Sequence, residues 1–224
     1  MGLIEVREVV KVYREKTGVE TPALRGVDLV IEEGDFVSIA GSSGSGKTTL
    51  LNLIGALDKP TKGRIYYQGR DITTISTNRL ADFRLREVGF VFQAYNLINT
   101  LTALENVEYV MLLQGIASKI RRKKAEEILQ RVGLGSLLHR FPNQMSGGQQ
   151  QRVAVARAIV SEPKVVLADE PTANLDSKTA SNLLDLMKEL NREKGICFIF
   201  STHDPMVMEK ADKVYHIKDG RIID

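Results

Sequence analysis

Residues Gly41-Ser42-Ser43-Gly44-Ser45-Gly46-Lys47-Thr48 leave the chain few ways to fold around them. They follow a strand-like apolar run, Phe36-Val37-Ser38-Ile39-Ala40, and lead into Thr49-Leu50-Leu51-Asn52-Leu53-Ile54, which reads as a helix. Glycines in the loop let the backbone curl until successive N–H groups point inward, and the helix that follows adds its positive end. The product is an anion nest, and a triphosphate is its natural occupant. Lys47 is placed to reach β- and γ-phosphates, while the Thr48 hydroxyl can supply one oxygen to Mg²⁺. Ser42, Ser43, Gly44, Ser45 and Thr49 complete the candidate nucleotide contacts. A glycine-rich turn with an incidental lysine is the plain alternative; the spacing of Gly41, Gly46, Lys47 and Thr48 between a strand and a helix speaks against it.

A second run, Lys164-Val165-Val166-Leu167-Ala168-Asp169-Glu170, is an apolar strand that ends in two carboxylates. In open parallel sheets ligands collect at the carboxyl ends of strands, which is where these two acids fall. Asp169 is then a candidate to hold Mg²⁺ through water, and Glu170 a candidate base for a water attacking a γ-phosphate. By itself such a pair is more often a solvated turn, and the phosphate loop tips the reading.

The 224 residues, 43% hydrophobic and 26% charged, suffice for a sizeable core. Alternating strand-like and helix-like segments predict an α/β fold with a largely parallel sheet. Ile4 to Tyr13, Val27 to Ile31 and Ile65 to Gln68 read instead as short strands of an antiparallel sheet. From Leu101 to Leu138 the apolar spacing is helical, with Val107, Val110, Met111, Ile128, Leu129 and Val132 expected to face inward. Lys213 to Ile217 and Arg221 to Ile223 read as a hairpin turned by Asp219-Gly220. Lys119, Arg121, Arg122, Lys123 and Lys124, followed by Glu126 and Glu127, suggest a solvated helix face that Ser118 could cap. No apolar run approaches the roughly 20 residues that cross a bilayer, and the first residues lack the features of a secretory signal, so a cytosolic location is expected. A net charge of +3 gives no ground for a nucleic-acid partner, and none is expected. The single cysteine, Cys197, sits in an apolar strand as a buried thiol. His139 and His216 match no motif and are read as structural.

Met145-Ser146-Gly147-Gly148-Gln149, running into Gln150-Gln151-Arg152 and Val153-Ala154-Val155-Ala156-Arg157-Ala158, makes a second glycine-bearing helix start, another phosphate-binding end. This run resembles the signature of ABC (ATP-binding cassette) ATPases, with Met145 where the family usually has Leu, a swap of similar volume. The other family elements follow in order. Tyr13 resembles the aromatic that stacks on adenine; Gln93 resembles the Q-loop glutamine that contacts Mg²⁺ and the attacking water. Pro171 to Asp176 resembles the D-loop, with Asp176 at a subunit interface, and His203 resembles the switch histidine on the γ-phosphate. The resemblance covers essentially the whole chain. It implies one cassette domain, a P-loop NTPase core with an N-terminal antiparallel β-subdomain (residues 1–92 and 162–224) and an inserted helical, signature-bearing subdomain (93–161).

It further implies an ATPase that works as a homodimer, with ATP sandwiched between the phosphate loop of one subunit and Ser146, Gly147, Gly148 and Gln149 of the other. The partner would be a transmembrane permease subunit, recruiting the chain to the cytoplasmic face of the membrane. Leu50 to Asp58, Gly89 to Gln93 and Asn96 to Val107 resemble the lipoprotein-release and macrolide-export branch, whose ATPases drive export or transmit force across the membrane. The alternatives are the ATPase of a cell-division regulator complex, which shares this small cassette, and a non-transport ABC ATPase. The latter usually carries two cassettes or long insertions, absent from these 224 residues. Binding without hydrolysis is disfavoured by the presence of both Glu170 and His203.

Overall fold

The computed structural model describes residues 2–14 and 18–223. The chain forms two compact units, residues 1–84 with 197–224, and residues 85–196.

In the first unit, β1 (Ile4–Arg14) pairs antiparallel with β2 (Glu20–Ile31) and with β4 (Lys62–Tyr67), and β4 pairs with the short β5 (Arg70–Asp71). This is the expected antiparallel sheet, with β2 starting at Glu20 rather than at the predicted Val27. Gln68, predicted to end a strand, instead turns the chain at φ 47°. The parallel part is built on β3 (Phe36–Ala40), flanked by β8 (Cys197–Thr202) and β9 (Lys213–Lys218) in register Phe36↔Phe198 and Val37↔Lys213. Every residue of β3 and β8 is buried, so both read as continuous apolar runs rather than alternating ones. Phe36, Phe198 and Phe200 make the densest contact, with the Phe36 and Phe200 ring centroids 4.7 Å apart. Helix α1 (Lys47–Ile54) follows β3, α7 (Pro205–Lys210) follows β8, and β10 (Arg221–Ile222) folds back antiparallel on β9. The predicted hairpin forms, turned by Asp219 at φ 48° and Gly220 at φ 76°, the two positive values of a two-residue turn. Helix α2 (Thr77–Glu87) is the stretch of chain in which the first unit gives way to the second.

In the second unit, β6 (Val88–Val91) runs parallel to β7 (Val165–Asp169). Helix α5 (Gly147–Ile159) packs on β6 at Gly89, where any Cβ would stand 2.3 Å from the Ala158 carbonyl. The predicted helical stretch divides into α3 (Ala103–Leu113) and α4 (Ser118–Arg131), separated at Gly115, whose φ of 78° helices do not adopt. Helix α6 (Ser177–Lys194) ends on Gly195 at φ 65°. Of the expected inward residues, Val107, Met111, Ile128, Leu129 and Val132 are buried, but Val110 is only half-buried. The buried place goes to Asn106, a polar residue that holds the chain ahead of α3: its amide donates to the carbonyls of Ile98, Leu101 and Thr102, and its Oδ1 accepts from the Ile98 N–H. Ser118 does not cap α4; it is the first helical residue, and Ala117 stands at the cap with no side-chain bond. The basic face is solvated as expected, with Arg122 and Lys123 paired to Glu126 and Glu127 one turn on. The fold is thus mixed α/β, with a mostly parallel sheet, an antiparallel sheet and a helical insert. Among the described residues no helix is long and apolar enough to cross a membrane.

Candidate functional site

In the first unit, β3 delivers the chain into the loop of residues 41–46 and α1 takes it out. Gly46, at φ 109°, stands at the cap of α1 with no side-chain hydrogen bond, so the amides of the first turn face the loop without a side-chain acceptor. The Lys47 ammonium is buried inside the loop, donating to the carbonyls of Gly41 at 2.8 Å and Ser42 at 2.9 Å. The Ser45 hydroxyl is also buried there, with no partner among the described residues. Ser42, Ser43, Gly44 and Thr48 are exposed, and Thr49 is half-buried. The uncapped start of α1, a buried cation and an orphaned hydroxyl are together a fit for phosphate oxygens. The Gly41 N–H donates to the Thr202 carbonyl at 3.3 Å, and the next residue is the exposed His203, so the end of β8 reaches the start of the loop.

Tyr13, also in this unit, is 40% exposed on β1. Its hydroxyl donates to Asp58 at 3.2 Å, and the Lys11 ammonium stands 4.8 Å from its ring centroid while pairing with Asp58 at 2.7 Å. Burial pushes the Asp58 carboxyl upward, but hydrogen bonds from Lys11, the Lys59 N–H and Tyr13 outweigh it and hold it below its ordinary value.

In the second unit, β7 ends at Asp169 and Glu170, both half-buried. Glu170 takes φ 46°, left-handed backbone that a non-glycine residue accepts only where the surroundings enforce it. Gln93 lies exposed in the turn after β6. Ser146 caps α5 in a reciprocal box: the Gln149 N–H donates to its hydroxyl at 3.3 Å, and its own N–H donates to the Gln149 side chain at 2.9 Å. The N–H groups of Gly147 and Gly148, in the first turn, have no intrahelical acceptor. A Cβ at Gly147 would stand 2.8 Å from the Tyr95 hydroxyl, and one at Gly148 2.6 Å from the Thr179 methyl, so neither position has room for a side chain. A cleft of about 460 Å³ opens here, lined by Ser146, Gly147, Gly148 and Gln149 on one side and Asn174 and Asp176 on the other. Asp176 caps α6, accepting from the Thr179 N–H at 3.0 Å, and bonds from Thr179 hold its carboxyl below the usual range.

Contacts invisible in the motifs tie this unit's loops together. The Asn174 side chain donates to the Gln93 carbonyl at 2.9 Å, and Arg157 donates to the carbonyls of Tyr95 at 2.9 Å and Asn96 at 2.6 Å. Gln151, fully buried, donates to the Pro171 carbonyl at 2.8 Å, next to Glu170. All three lie in runs that the sequence singles out, Asn174 in Pro171 to Asp176, Gln151 in Gln150 to Arg152 and Arg157 in Val153 to Ala158, but no local pattern points to their partners. His139 and His216 are exposed and lie in none of these groups.

Residues 24–173 match the family model described as ABC transporter. The chain belongs to the ABC transporter family as an ATP-binding cassette. It is 48% identical over 206 residues to the lipoprotein-releasing system ATP-binding protein LolD of Anaeromyxobacter dehalogenans, spanning 92% of this chain and 86% of that protein. It is 48% identical over 221 residues to the macrolide export ATP-binding/permease protein MacB of Hyphomonas neptunium, spanning 99% of this chain but 34% of that longer protein. Among solved structures, the dimeric bacterial ABC transporter cassette MJ0796 superposes with a TM-score of 0.91 at 43% identity, covering 99% of this chain and 97% of that one. A post-hydrolysis state of the same cassette, bound to ADP and Pi, matches equally well. The ABC cassette therefore accounts for both glycine-bearing helix starts, one in each compact unit.

Proposed function

We propose that this chain is the ATP-hydrolysing subunit of an ABC transporter and powers a separate membrane subunit for export, lipoprotein release or force transmission. The observation that carries the reading is the loop of residues 41–46, with its buried Lys47 and orphaned Ser45 hydroxyl. The loop and the first turn of α1, residues 41–49, hold the phosphates of ATP, Lys47 neutralises the β- and γ-phosphates, and the exposed ring of Tyr13 stacks on adenine. Among the described residues no cluster of three acidic, histidine or cysteine side chains exists. Thr48, Asp169 and Gln93 would hold a Mg²⁺ ion, their hydroxyl, carboxylate and amide oxygens being the hard donors it takes. Such an ion would supply charge neutralisation on the phosphates.

Glu170 accepts the proton of the attacking water, whose oxygen bonds to the γ-phosphorus as the bond to the bridging oxygen breaks, leaving ADP and phosphate. His203 contacts the γ-phosphate. Residues 1–92 and 162–224 serve as the catalytic core, and residues 93–161 as the helical subdomain that meets the permease on the cytoplasmic face. The Ser146 to Gln149 helix start and Asp176 act on the nucleotide of a second copy. LolD, by name the ATP-binding protein of a lipoprotein-releasing system, and MacB, by name a macrolide export ATP-binding/permease protein, favour transport over the cell-division and non-transport readings.

Phosphate release from the purified chain tests the site. Lys47→Ala deletes a phosphate-facing charge and no apolar core, so hydrolysis should fall by about two orders of magnitude or more with the fold retained. Near-wild-type release from the variant would sink the assignment.

A further inference from the structure

The last two strands take no part in the chemistry above, yet their turn touches the phosphate loop directly. The Gly220 N–H donates to the Ser45 carbonyl at 3.0 Å, and the Gly220 carbonyl accepts from the Arg25 N–H at 2.8 Å. Three glycines, two in the loop and one in the turn, meet at two carbonyls. A Cβ on Gly41 would lie 2.3 Å from the Ile217 carbonyl, one on Gly46 2.7 Å from the Ala23 carbonyl, and one on Gly220 2.6 Å from that same Ala23 oxygen. Backbone therefore packs on backbone across β2, the loop and the hairpin, with the Leu24 and Ile217 side chains close beside it.

The bond to Ser45 has a directional consequence. In a trans peptide the C=O and the N–H of one unit point opposite ways. Anchoring the Ser45 carbonyl on the hairpin aims the Gly46 N–H away from it, which is the orientation an anion nest requires. We propose that the Asp219-Gly220 turn, braced on the Ala23 carbonyl, is a backbone clamp that sets the curl of the phosphate loop, with Gly220 a positioning residue for nucleotide affinity. This rests on the reading of residues 41–48 as the ATP site. Because the clamp and the nucleotide stabilise one loop conformation, each tightens the other by the same factor.

The test compares variants of the full chain by Mg-ATP affinity in titration calorimetry and by the melting temperature without nucleotide. Gly220→Ala adds a Cβ at φ 76° against the Ala23 carbonyl. Gly63→Ala is its matched control, adding a Cβ at φ 82° within 2.3 Å of the Glu8 carbonyl, away from the loop. Both should lower the melting temperature. Only Gly220→Ala should weaken ATP binding, by roughly tenfold, the scale of left-handed strain at one residue. Asp219→Gly, which keeps the positive-φ turn, should bind ATP as the wild type does. Equal affinity in the two alanine variants overturns the clamp. Should Gly220→Ala fail to fold, hydrogen exchange on the wild type decides: the Gly220 amide must gain protection when ATP binds, and an unchanged rate overturns the clamp. Lys47→Ala separates the two ideas, since near-wild-type phosphate release there refutes the site itself rather than the clamp.

Discussion

Asn174 donates its side-chain amide to the Gln93 carbonyl at 2.9 Å, so losing it frees the turn that presents Gln93. Asn174→Ala should lower turnover about threefold to tenfold, the equivalent of one hydrogen bond, with ATP affinity unchanged because no phosphate contact is lost. Steady-state hydrolysis at saturating ATP checks this, and an unchanged rate would remove Asn174 from the machinery. The residues that the sequence exposes and those it hides differ in a physical way. The phosphate loop is contiguous, so glycines, lysine and threonine at fixed spacing carry the whole geometry. Asn174 and Arg157 act on partners 81 and 61 residues away, and no local pattern encodes such pairs. Cys197 was legible for a third reason: an apolar strand buries what it carries, and burial, aided by the Asp35 charge, drives its thiol well above its ordinary value, leaving it protonated and inert.

At the scale of elements, periodicity located the helical stretch but not its break or its caps. Val110 is half-buried rather than buried, α3 ends at Leu113, and the chain enters α4 only at Ser118, past Gly115. The start of α3 is secured by Thr102 and Glu105, each bonded to the other's backbone N–H. Thr102→Ala should cost about 1 kcal/mol of stability, read from the denaturant midpoint. The Thr102 N–H and then its hydroxyl hold the Glu105 carboxyl below its ordinary 4.5. A depressed carboxyl contributes stability above that unfolded value and loses it as pH falls through the folded one. The difference between wild type and Thr102→Ala should therefore be full at neutral pH and shrink below about pH 4.5. A difference that grows on acidification would contradict the box. The antiparallel sheet, by contrast, was legible almost to the residue in β1, which runs Ile4–Arg14 against the predicted Ile4 to Tyr13.

For the whole molecule, the decisive feature is that one chain carries two glycine-bearing helix starts, at Gly46 and at Ser146. On the proposed function one nucleotide would need only one of them from each chain, so two copies arranged head to tail would complete two sites. ATP would then belong to the interface, and hydrolysis would weaken it by removing the γ-phosphate that Ser146 and the Gly147 and Gly148 amides are proposed to grip, a ligand-driven shift of population. The dimeric form of the MJ0796 cassette, with its 0.91 TM-score, gives a pair of such cassettes a precedent at 43% identity. Glu170→Gln keeps the size of the side chain and removes the proposed base. Turnover should fall about a hundredfold or more while ATP still binds, trapping the ATP-bound state. Light scattering on this variant is the most direct measurement. With saturating Mg-ATP it should run as a dimer, without nucleotide as a monomer, and as a monomer again when Ser146→Arg is added to block the opposing phosphate. A Glu170→Gln chain that binds ATP and stays monomeric would contradict the composite site.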